Sequence, residues 1–202
     1  MSYLNIDFLS ENTLEAAKQL LGKKIVTYTN GVKTSGYITE VEAYLGTKDR
    51  AAHTFSGVKN KKNSTMFQPY GHIYVYTMHG HHCMNFVTTK NLPEGVLIRG
   101  IEPAEGIDEM ISRRGREVNL TDGPGKLTQA LGVKRDTHNG KRLNEGYVDI
   151  YEGKTPKEIV ATKRIGIDNK KEAVDYLYRF IVKGNKHVSR FKGKQAENNG
   201  WQ

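Results

Sequence analysis

Residues 24–45 read KIVTYTNGVKTSGYITEVEAYL, and this stretch decides the predicted fold. Its first part, 24–29, is rich in the β-branched and aromatic side chains that favour strands. The dipeptide Asn30-Gly31 follows, and it readily adopts the positive φ angles of a tight hairpin turn. The pattern therefore predicts a β-hairpin whose second strand runs through Gly36 to Leu45.

The second strand of this hairpin is predicted to have two different faces, because side chains alternate across a strand. One face carries apolar residues at positions 41, 43 and 45 and is expected to point toward the core. The other face carries Glu40, Glu42 and Tyr44 and is expected to line a cleft.

Other periodic segments predict more strands than helices. The predicted helices cover 12–21, 105–114 and 124–131. The first has Asn12 and Glu15 placed like a capping box and Gly22 as its stop, and the last has Asp122 as its cap and Gly132 as its stop. The other predicted strands cover 72–78, 83–89, 95–101, 147–151, 163–167 and 178–183. This mixture predicts an α+β fold with an antiparallel sheet.

Length and composition predict one domain over residues 1–202, with a polar tail over 195–202 that is expected to fray. The single cysteine, Cys83, excludes an internal disulfide and fits a reducing compartment. No apolar run approaches the length of a membrane span, and acidic residues interrupt the region where a signal peptide would be apolar. The expected location is intracellular.

Basic residues occur in runs, and the formal net charge is +9. A surface with this charge attracts polyanions over a long range. Each run could be an ordinary solvated face, but three runs in one small domain favour nucleic acid over an anionic membrane as the partner. The runs are Lys59, Lys61 and Lys62; Arg113, Arg114 and Arg116; and Lys183, Lys186, Arg190, Lys192 and Lys194.

The segment His79-Gly80-His81-His82 separates two predicted strands and is interpreted as the tip of a protruding hairpin. Three imidazoles beside Cys83 could form a metal site, but their spacing is too tight for a tetrahedral one. A wedge or a solvated tip is therefore preferred, and no metal or other cofactor is expected. Further along, the helix start at Gly123-Pro-Gly-Lys126 could hold a DNA phosphate, and an ordinary turn is an equal alternative.

Glu42 is the candidate for acid–base chemistry in the expected cleft. Taken alone, it is better interpreted as a half-exposed strand glutamate. Its neighbours change that balance, because they include rings that could sandwich a purine and polar groups from adjacent strands. These neighbours are Tyr44, His53, Tyr76, Asn85 and Arg99. A carboxylate that directs water beside rings that hold an extruded base suits hydrolysis of an N-glycosidic bond.

Taken together, the motifs of the chain resemble those of the 3-methyladenine (alkyladenine, or methylpurine) DNA glycosylases. In order, they are Glu40-Val-Glu-Ala-Tyr-Leu-Gly46, Asp49, Ala51-Ala-His53, Gly71-His-Ile-Tyr-Val-Tyr76, Cys83-Met-Asn85, Gly95-Val-Leu-Ile-Arg99, Glu102-Pro103, Asp122-Gly-Pro-Gly-Lys126-Leu127, Arg164-Ile-Gly166, Arg179-Phe180, Gly184 and Val188-Ser189. No single motif is specific, but the set extends from the first helix to Arg190.

The resemblance implies a single-domain repair enzyme with a curved sheet and a hairpin that inserts into DNA. Its implied substrate is double-stranded DNA with damaged purines: 3-methyladenine and 7-methylguanine, with hypoxanthine and ethenoadenine as further candidates. Glu42 would be the general base, and Arg99 with the backbone around Ile165 would help to hold the nucleophilic water. The product would be an abasic site.

The resemblance also implies how the base is held. The rings of Tyr44, His53 and Tyr76 would stack on the flipped base, and the backbone amide of His53 would donate a hydrogen bond to it. Asn85 would obstruct the exocyclic amine of normal guanine. From the basic runs and the turn before the third helix, we expect Lys126, Lys183 and Arg190 to contact the DNA backbone.

The chain departs from the family at the hairpin tip. Members often carry a tyrosine there that wedges into the minor groove, and the matching residue here is His79. The tip is also one residue shorter, so that His81 and His82 are alternative wedges. The intercalating residue is therefore predicted to be His79, with two neighbours to test beside it.

Three rival functions remain at this stage. A nucleic-acid-binding module without catalytic activity would also be basic and aromatic, but it would not need Glu42 beside Tyr44 on a cleft-facing strand. A metal-dependent nuclease would need the histidine cluster to be occupied. A glycosylase with lyase activity would need an amine nucleophile, and neither an N-terminal proline nor a pocket lysine is apparent. Monofunctional hydrolysis by a monomer is the simplest expectation.

Overall fold

The computed structural model describes residues 2–202 and has the predicted α+β fold. Eight strands form one antiparallel sheet that curls into a half-barrel, and helices pack against it. The strands are β1 (Lys24–Thr29), β2 (Val32–Tyr44), β3 (Ile73–Met78), β4 (His81–Thr88), β5 (Glu94–Glu105), β6 (Val148–Tyr151), β7 (Ile159–Thr162) and β8 (Arg179–Val182). The α-helices of the described residues are α1 (Thr13–Leu20), α2 (Ile107–Arg114), α3 (Pro124–Leu131) and α4 (Arg135–His138).

The predicted signals at several element ends are confirmed. The Asn12 side chain accepts hydrogen bonds from the backbone N–H groups of Leu14 and Glu15 at the start of α1. Gly132 ends α3 in the left-handed conformation that glycine adopts without strain. Asn30 and Gly31 both have positive φ and join β1 to β2, as their type predicts.

Strand β2 is the branch point of the sheet. It pairs with β5 along one edge, whereas its other edge pairs first with β1 and then with β8 over Glu40–Glu42. Register shifts interrupt the pairing with β5 between Ile38 and Val41, and such bulges redirect side chains. The segment that carries the two glutamates is therefore flanked by strands on both edges.

The core lies between the sheet and the helices. Helix α3 packs across β4 and β5, and α1 packs on β2. The large side chains that are fully buried there include Phe86, Ile98, Ile101 and Leu127. This apolar layer holds the branch point of the sheet rigidly, because close-packed interiors leave little room for movement.

Three sequence predictions about elements are wrong. Residues 163–167 form a loop after β7 and not a strand. Asp122 does not cap α3; Gly123 occupies that position, and Asp122 instead accepts from the Lys126 ammonium at 3.1 Å. The hairpin tip is tighter than predicted, because β4 begins at His81 and only two residues form the turn.

The expectation that residues 195–202 fray is also wrong. Trp201 is 1% exposed, and its indole N–H donates to Glu102 at 2.9 Å. The Gln202 N–H donates to the Thr155 carbonyl at 2.9 Å. The apolar indole overrides the polar composition of its neighbours, because burying a ring of this size stabilises the folded chain.

Within residues 2–202, no helix is long and apolar enough to cross a membrane.

Candidate active site

A cavity of about 230 Å³ lies beside β2, and we call it the base cavity. It is smaller than the roughly 300–1,000 Å³ typical of sites for drug-sized ligands. The structure brings to its wall the predicted site residues Tyr44, His53, Tyr76, Asn85, Arg99 and Ile165. Residues from β2, β3, β4, β5 and two loops thus meet at one place.

Glu42 is fully buried and is not itself among the residues that line the cavity, but its hydrogen-bond donors Tyr44 and Ile165 are. Its Oε1 accepts from the backbone N–H of Ile165 at 2.8 Å, and its Oε2 accepts from the Tyr44 hydroxyl at 2.8 Å. Burial, followed by the charge of Glu42, raises the pKa of Tyr44 well above its usual range, so that the phenol keeps its proton and donates it. The carboxylate is therefore held in one orientation by groups that themselves line the base cavity.

Arg99 is the cation nearest to Glu42. Its Nε lies 3.4 Å from Glu42 Oε1, and its Nη1 lies 3.5 Å from Glu42 Oε2. Burial alone would lower the pKa of Arg99, but the charges of Glu42 and Glu40 outweigh it and raise the pKa. Arg99 is therefore a permanent positive charge at the end of the cavity nearest Glu42.

The prediction that Glu40 faces the cleft is wrong. It is fully buried and accepts hydrogen bonds from Arg99, from Arg179 and from both the backbone N–H and the hydroxyl of Ser189. Its pairing partner β8 covers this part of β2, and this contact between distant segments removes Glu40 from the cavity.

Aromatic rings from His53, Tyr74 and Tyr76 form another part of the wall. The His53 and Tyr76 rings meet edge to face with centroids 4.5 Å apart, and His53 Nδ1 lies 3.0 Å from the Tyr74 hydroxyl. Burial and the nearby charge of Lys170 lower the pKa of His53, so that the ring is neutral at pH 7. Burial raises the pKa of Tyr74 to about 12. This part of the wall is thus an uncharged aromatic surface.

A buried ion pair supports the cavity from behind. Both terminal nitrogens of Arg164 donate to Asp49, and the guanidinium lies 4.7 Å from the centroid of the Tyr44 ring. Asp49 also accepts from the backbone N–H groups of Leu45 and Ala51. The pair joins the loop that carries Ile165 to the turn that carries His53, so that two walls keep a fixed spacing.

Asn85 and several unpredicted residues complete the cavity. The Asn85 side-chain amide donates to the Tyr74 carbonyl at 3.1 Å, which fixes its orientation. The sequence patterns did not indicate Tyr74, Met66, Met78 and Lys170, which also line the cavity. Strand alternation places Tyr74 on the same face as Tyr76 and could have revealed it. The expectation of no pocket lysine is wrong, because Lys170 lies in the wall.

The hairpin tip separates the three candidate wedge residues. His79 and Gly80 form the turn itself, and both are exposed with positive φ. The side chain of His81 packs over Gly125 at the start of α3, and His82 Nδ1 lies 3.2 Å from the Thr77 hydroxyl. His79 is therefore the histidine that extends farthest from contacts with the rest of the fold.

The three residues expected at the DNA backbone lie in two places. Lys126 is in the first turn of α3, whereas Lys183 and Arg190 line a second cavity of about 630 Å³ that we call the basic groove. Its cationic side chains come from Lys157, Arg179, Lys183, Arg190, Lys192 and Lys194. Lys183 pairs with Glu158 at 2.8 Å, and Arg190 makes no ion pair within residues 2–202.

The histidine tip does not gather metal ligands. Across the described part of the chain, no group of three or more His, Cys, Asp or Glu side chains is placed to hold a metal ion. Cys83 is a buried free thiol that faces Tyr76 across the hairpin, and burial raises its pKa. This arrangement matches a buried apolar side chain.

A buried carboxylate beside an aromatic cavity, on a basic protein, is the arrangement that suits a hydrolase acting on nucleic-acid bases. The family model described as methylpurine-DNA glycosylase matches residues 7–186. The chain belongs to the methylpurine-DNA glycosylase family, and it is a DNA glycosylase, a hydrolase acting on N-glycosyl bonds.

Curated relatives agree with this assignment. A protein of Clostridium acetobutylicum is 46% identical over 92% of this chain and 97% of its own length. Proteins of Staphylococcus saprophyticus and Bacillus subtilis are 47% and 46% identical, each over 93% of this chain and over 94% and 96% of their own lengths. All three carry the name "Putative 3-methyladenine DNA glycosylase".

Proposed function

We propose that the protein flips a damaged purine from duplex DNA into the base cavity and hydrolyses its N-glycosidic bond with a water activated by Glu42. The proposed substrates are 3-methyladenine and 7-methylguanine, with hypoxanthine and ethenoadenine as further lesions to test, and the product is an abasic site. One observation carries the proposal: the buried carboxylate of Glu42 is fixed by Tyr44 and Ile165, two residues that line the cavity.

In the proposed reaction, the water oxygen bonds to the anomeric carbon, and Glu42 takes one of the water protons. The bond to the purine nitrogen breaks, and its electron pair leaves with the base. The two contacts of Glu42 to Arg99, at 3.4 and 3.5 Å, are longer than its contacts to Tyr44 and Ile165. A water proton could therefore replace a weak contact to Arg99 without disturbing the groups that orient the carboxylate.

The aromatic wall supports recognition of the base. Methylated purines carry positive charge, and electron-rich rings attract cations by about 0.5–2 kcal/mol. In our proposal, Tyr44, His53 and Tyr76 stack on the base, and Asn85 obstructs the amine of normal guanine. The His53 backbone N–H makes no hydrogen bond within residues 2–202, so that it is free to donate to the base.

The surface supports binding to DNA. We propose that Lys126, Lys183 and Arg190 contact phosphates and that His79 fills the gap left by the flipped nucleotide. The enzyme would act as a monomer in the compartment that holds DNA. The proposed mechanism uses no metal or other cofactor.

Free-base release from duplex DNA that contains 3-methyladenine tests this proposal. Glu42→Gln should keep the shape of the side chain but remove the carboxylate that accepts the water proton. We expect release of the purine to slow by about 10²–10⁴-fold while lesion binding persists. Glu105→Gln is the matched control, because Glu105 is also an ion-paired strand glutamate but lies outside the cavity. Wild-type release by Glu42→Gln would overturn the mechanism.

Two additions separate the rival functions. EDTA should leave release unchanged, and loss of activity that zinc restores would support a metal-dependent enzyme. Lys170 is the amine that a lyase could use, so borohydride is added during turnover. Hydrolysis should leave no protein covalently trapped on DNA, whereas trapping that Lys170→Met removes would support a lyase.

A further inference from the structure

Glu40 is a buried glutamate without a role in the proposed reaction. Its carboxylate accepts from Arg179 Nε at 2.6 Å, from Arg99 Nε at 3.2 Å, and from the Ser189 N–H and hydroxyl at 2.7 Å each. Glu40 and Glu42 are both fully buried, but the two neutral hydrogen-bond donors to Glu42 line the base cavity. The donors Arg179 and Ser189 separate Glu40 from the cavity, because neither of them lines it. A carboxylate saturated in this way must act through its partners.

The partner that Glu40 shares with Glu42 is Arg99. Arg99 Nε lies 3.2 Å from Glu40 and 3.4 Å from Glu42, and Arg99 Nη2 lies 3.4 Å from the Ser189 hydroxyl. Arg179 pairs with Glu40 alone. The cluster therefore contains two carboxylates and two guanidiniums, and its formal charges cancel. In such a cluster, the loss of one carboxylate leaves an excess positive charge beside the other.

We propose that Glu40 is a positioning residue that holds Arg99 between the two carboxylates and shares its charge, so that Glu42 remains basic enough to take a proton from water. This inference rests on the proposed role of Glu42. It also explains the geometry: Glu42 makes short hydrogen bonds to neutral donors, whereas its contacts to Arg99 are long. A fully paired Arg99–Glu42 ion pair would be a poor base.

The proposal predicts a direction for the pH dependence. Replacing Glu40 with Gln leaves Arg99 and Arg179 facing only Glu42, and excess positive charge favours the ionised carboxylate. The other groups that face Glu42 are unchanged by this substitution. They are the hydroxyls of Tyr44 and Tyr76, the guanidinium of Arg164, the Cys83 thiol and the Ile165 N–H.

The first variant is therefore Glu40→Gln. We expect the acidic limb of its single-turnover rate to move about 1 pH unit lower, since a charge within 4–6 Å has effects of this size. The rate on the plateau should fall about 3- to 10-fold, because a weaker base takes the proton less readily. KM should change little, because Glu40 does not line the base cavity.

The second variant, Arg179→Gln, removes one cation and should move the limb upward. The double variant Glu40→Gln/Arg179→Gln restores the cancelled charge, and its limb should return close to that of the wild type. Ser189→Ala removes one hydrogen bond without a change in charge and should leave the limb in place. Glu105→Gln provides the control for an equal loss of negative charge elsewhere.

The rates are measured with enzyme in excess on duplex DNA that contains 3-methyladenine, and release without enzyme is subtracted at each pH. A folded Glu40→Gln protein with an unmoved limb would overturn the inference, as would a Ser189→Ala limb that moves equally far. If Glu40→Gln does not fold, an unmoved limb in Arg179→Gln has the same meaning. Wild-type release by Glu42→Gln would instead overturn the proposed function, so the two failures are distinct.

Discussion

The base cavity and the basic groove use charge in opposite ways. In the cavity, Glu42 and Arg99 are buried and held by several partners at fixed distances. In the groove, Lys183 is more than half exposed even though it pairs with Glu158, and Arg190 is exposed. The difference suits the two proposed tasks: chemistry on one bond needs fixed groups, whereas contact with a repeating phosphate backbone tolerates mobile ones.

Charge reversal in the groove should give the largest effect that separates the two regions. For Arg190→Glu/Lys192→Glu, we expect the Kd for undamaged duplex to rise about 10- to 100-fold at low salt. The slope of log K against log salt should become shallower by about 0.9 for each phosphate that the variant no longer neutralises. Fluorescence anisotropy across a salt series measures both quantities.

The rate at saturating enzyme provides the other half of this test. It should stay at the wild-type value, because the reversed charges lie outside the base cavity. Lys18→Glu/Lys23→Glu changes the net charge equally on another surface and should alter the slope less. An equal change in both double variants would mean that net charge, and not the groove, governs binding.

Substitution at the hairpin tip should have a smaller effect that appears only on duplex DNA. His79 has φ 49°, so His79→Asn is a better test than His79→Ala, since asparagine tolerates this backbone conformation. We expect several-fold weaker binding and slower excision on duplex DNA, with little change on single strands, because only a duplex has a gap to fill.

A fluorescent base that reports flipping measures this step directly. His79→Tyr should recover most of the signal, because it restores a ring that can stack. His81→Ala and His82→Ala serve as comparisons, since His81 packs on Gly125 and His82 contacts Thr77. If one of these two variants alone loses the signal, the wedge is that histidine and not His79.

The smallest predicted effect concerns stability below pH 7. Burial lowers the pKa of His53, His138 and His187 from 6.5. The unfolded chain therefore binds more protons than the folded protein once the pH falls below about 6.5, and stability falls with it. Thermal unfolding at pH 7.5 and 5.5 should show a lower Tm at the lower pH.

The same measurement distinguishes the cavity from the groove. His53→Gln should reduce the loss of Tm between the two pH values, because one lowered pKa is removed. Arg190→Glu/Lys192→Glu should not reduce it, since lysine and arginine do not titrate in this range. An unchanged loss in His53→Gln would show that His53 contributes nothing to the pH dependence.

Local signals predicted much of the fold. The Asn30-Gly31 turn and the two-residue period located β1 and β2, and Gly132 located the end of α3. The strand predicted over 163–167 is a loop. The prediction failed because β-branched residues suggest a strand, and the sequence does not show that this segment has no neighbouring strand to pair with. The tail over 195–202 was predicted to fray because its composition is polar. It is ordered because one large apolar side chain, Trp201, is buried and fixes the chain end.

Site residues that belong to recognisable motifs could be predicted from the sequence. Contacts between segments that are distant in the chain could not. The resemblance named Glu42, Tyr44 and Arg99, and the structure brings them together. The true environment of Glu40 depends on β8 and Ser189, which no local pattern connects to β2. Lys170 likewise lies in the cavity wall because a loop places it there, and local sequence patterns do not predict the path of a loop.

The branching of β2 also bears on the order in which the molecule assembles. The Ile165 amide that holds Glu42 is 123 positions away in the chain, and the Ser189 amide that holds Glu40 is 149 positions away. Contacts between such distant positions carry a high loop-closure cost and form slowly. In a chain still emerging from the ribosome, the two glutamates are synthesised long before their partners Ile165 and Ser189. Both carboxylates therefore wait for later segments of the chain before they acquire the hydrogen bonds that orient them.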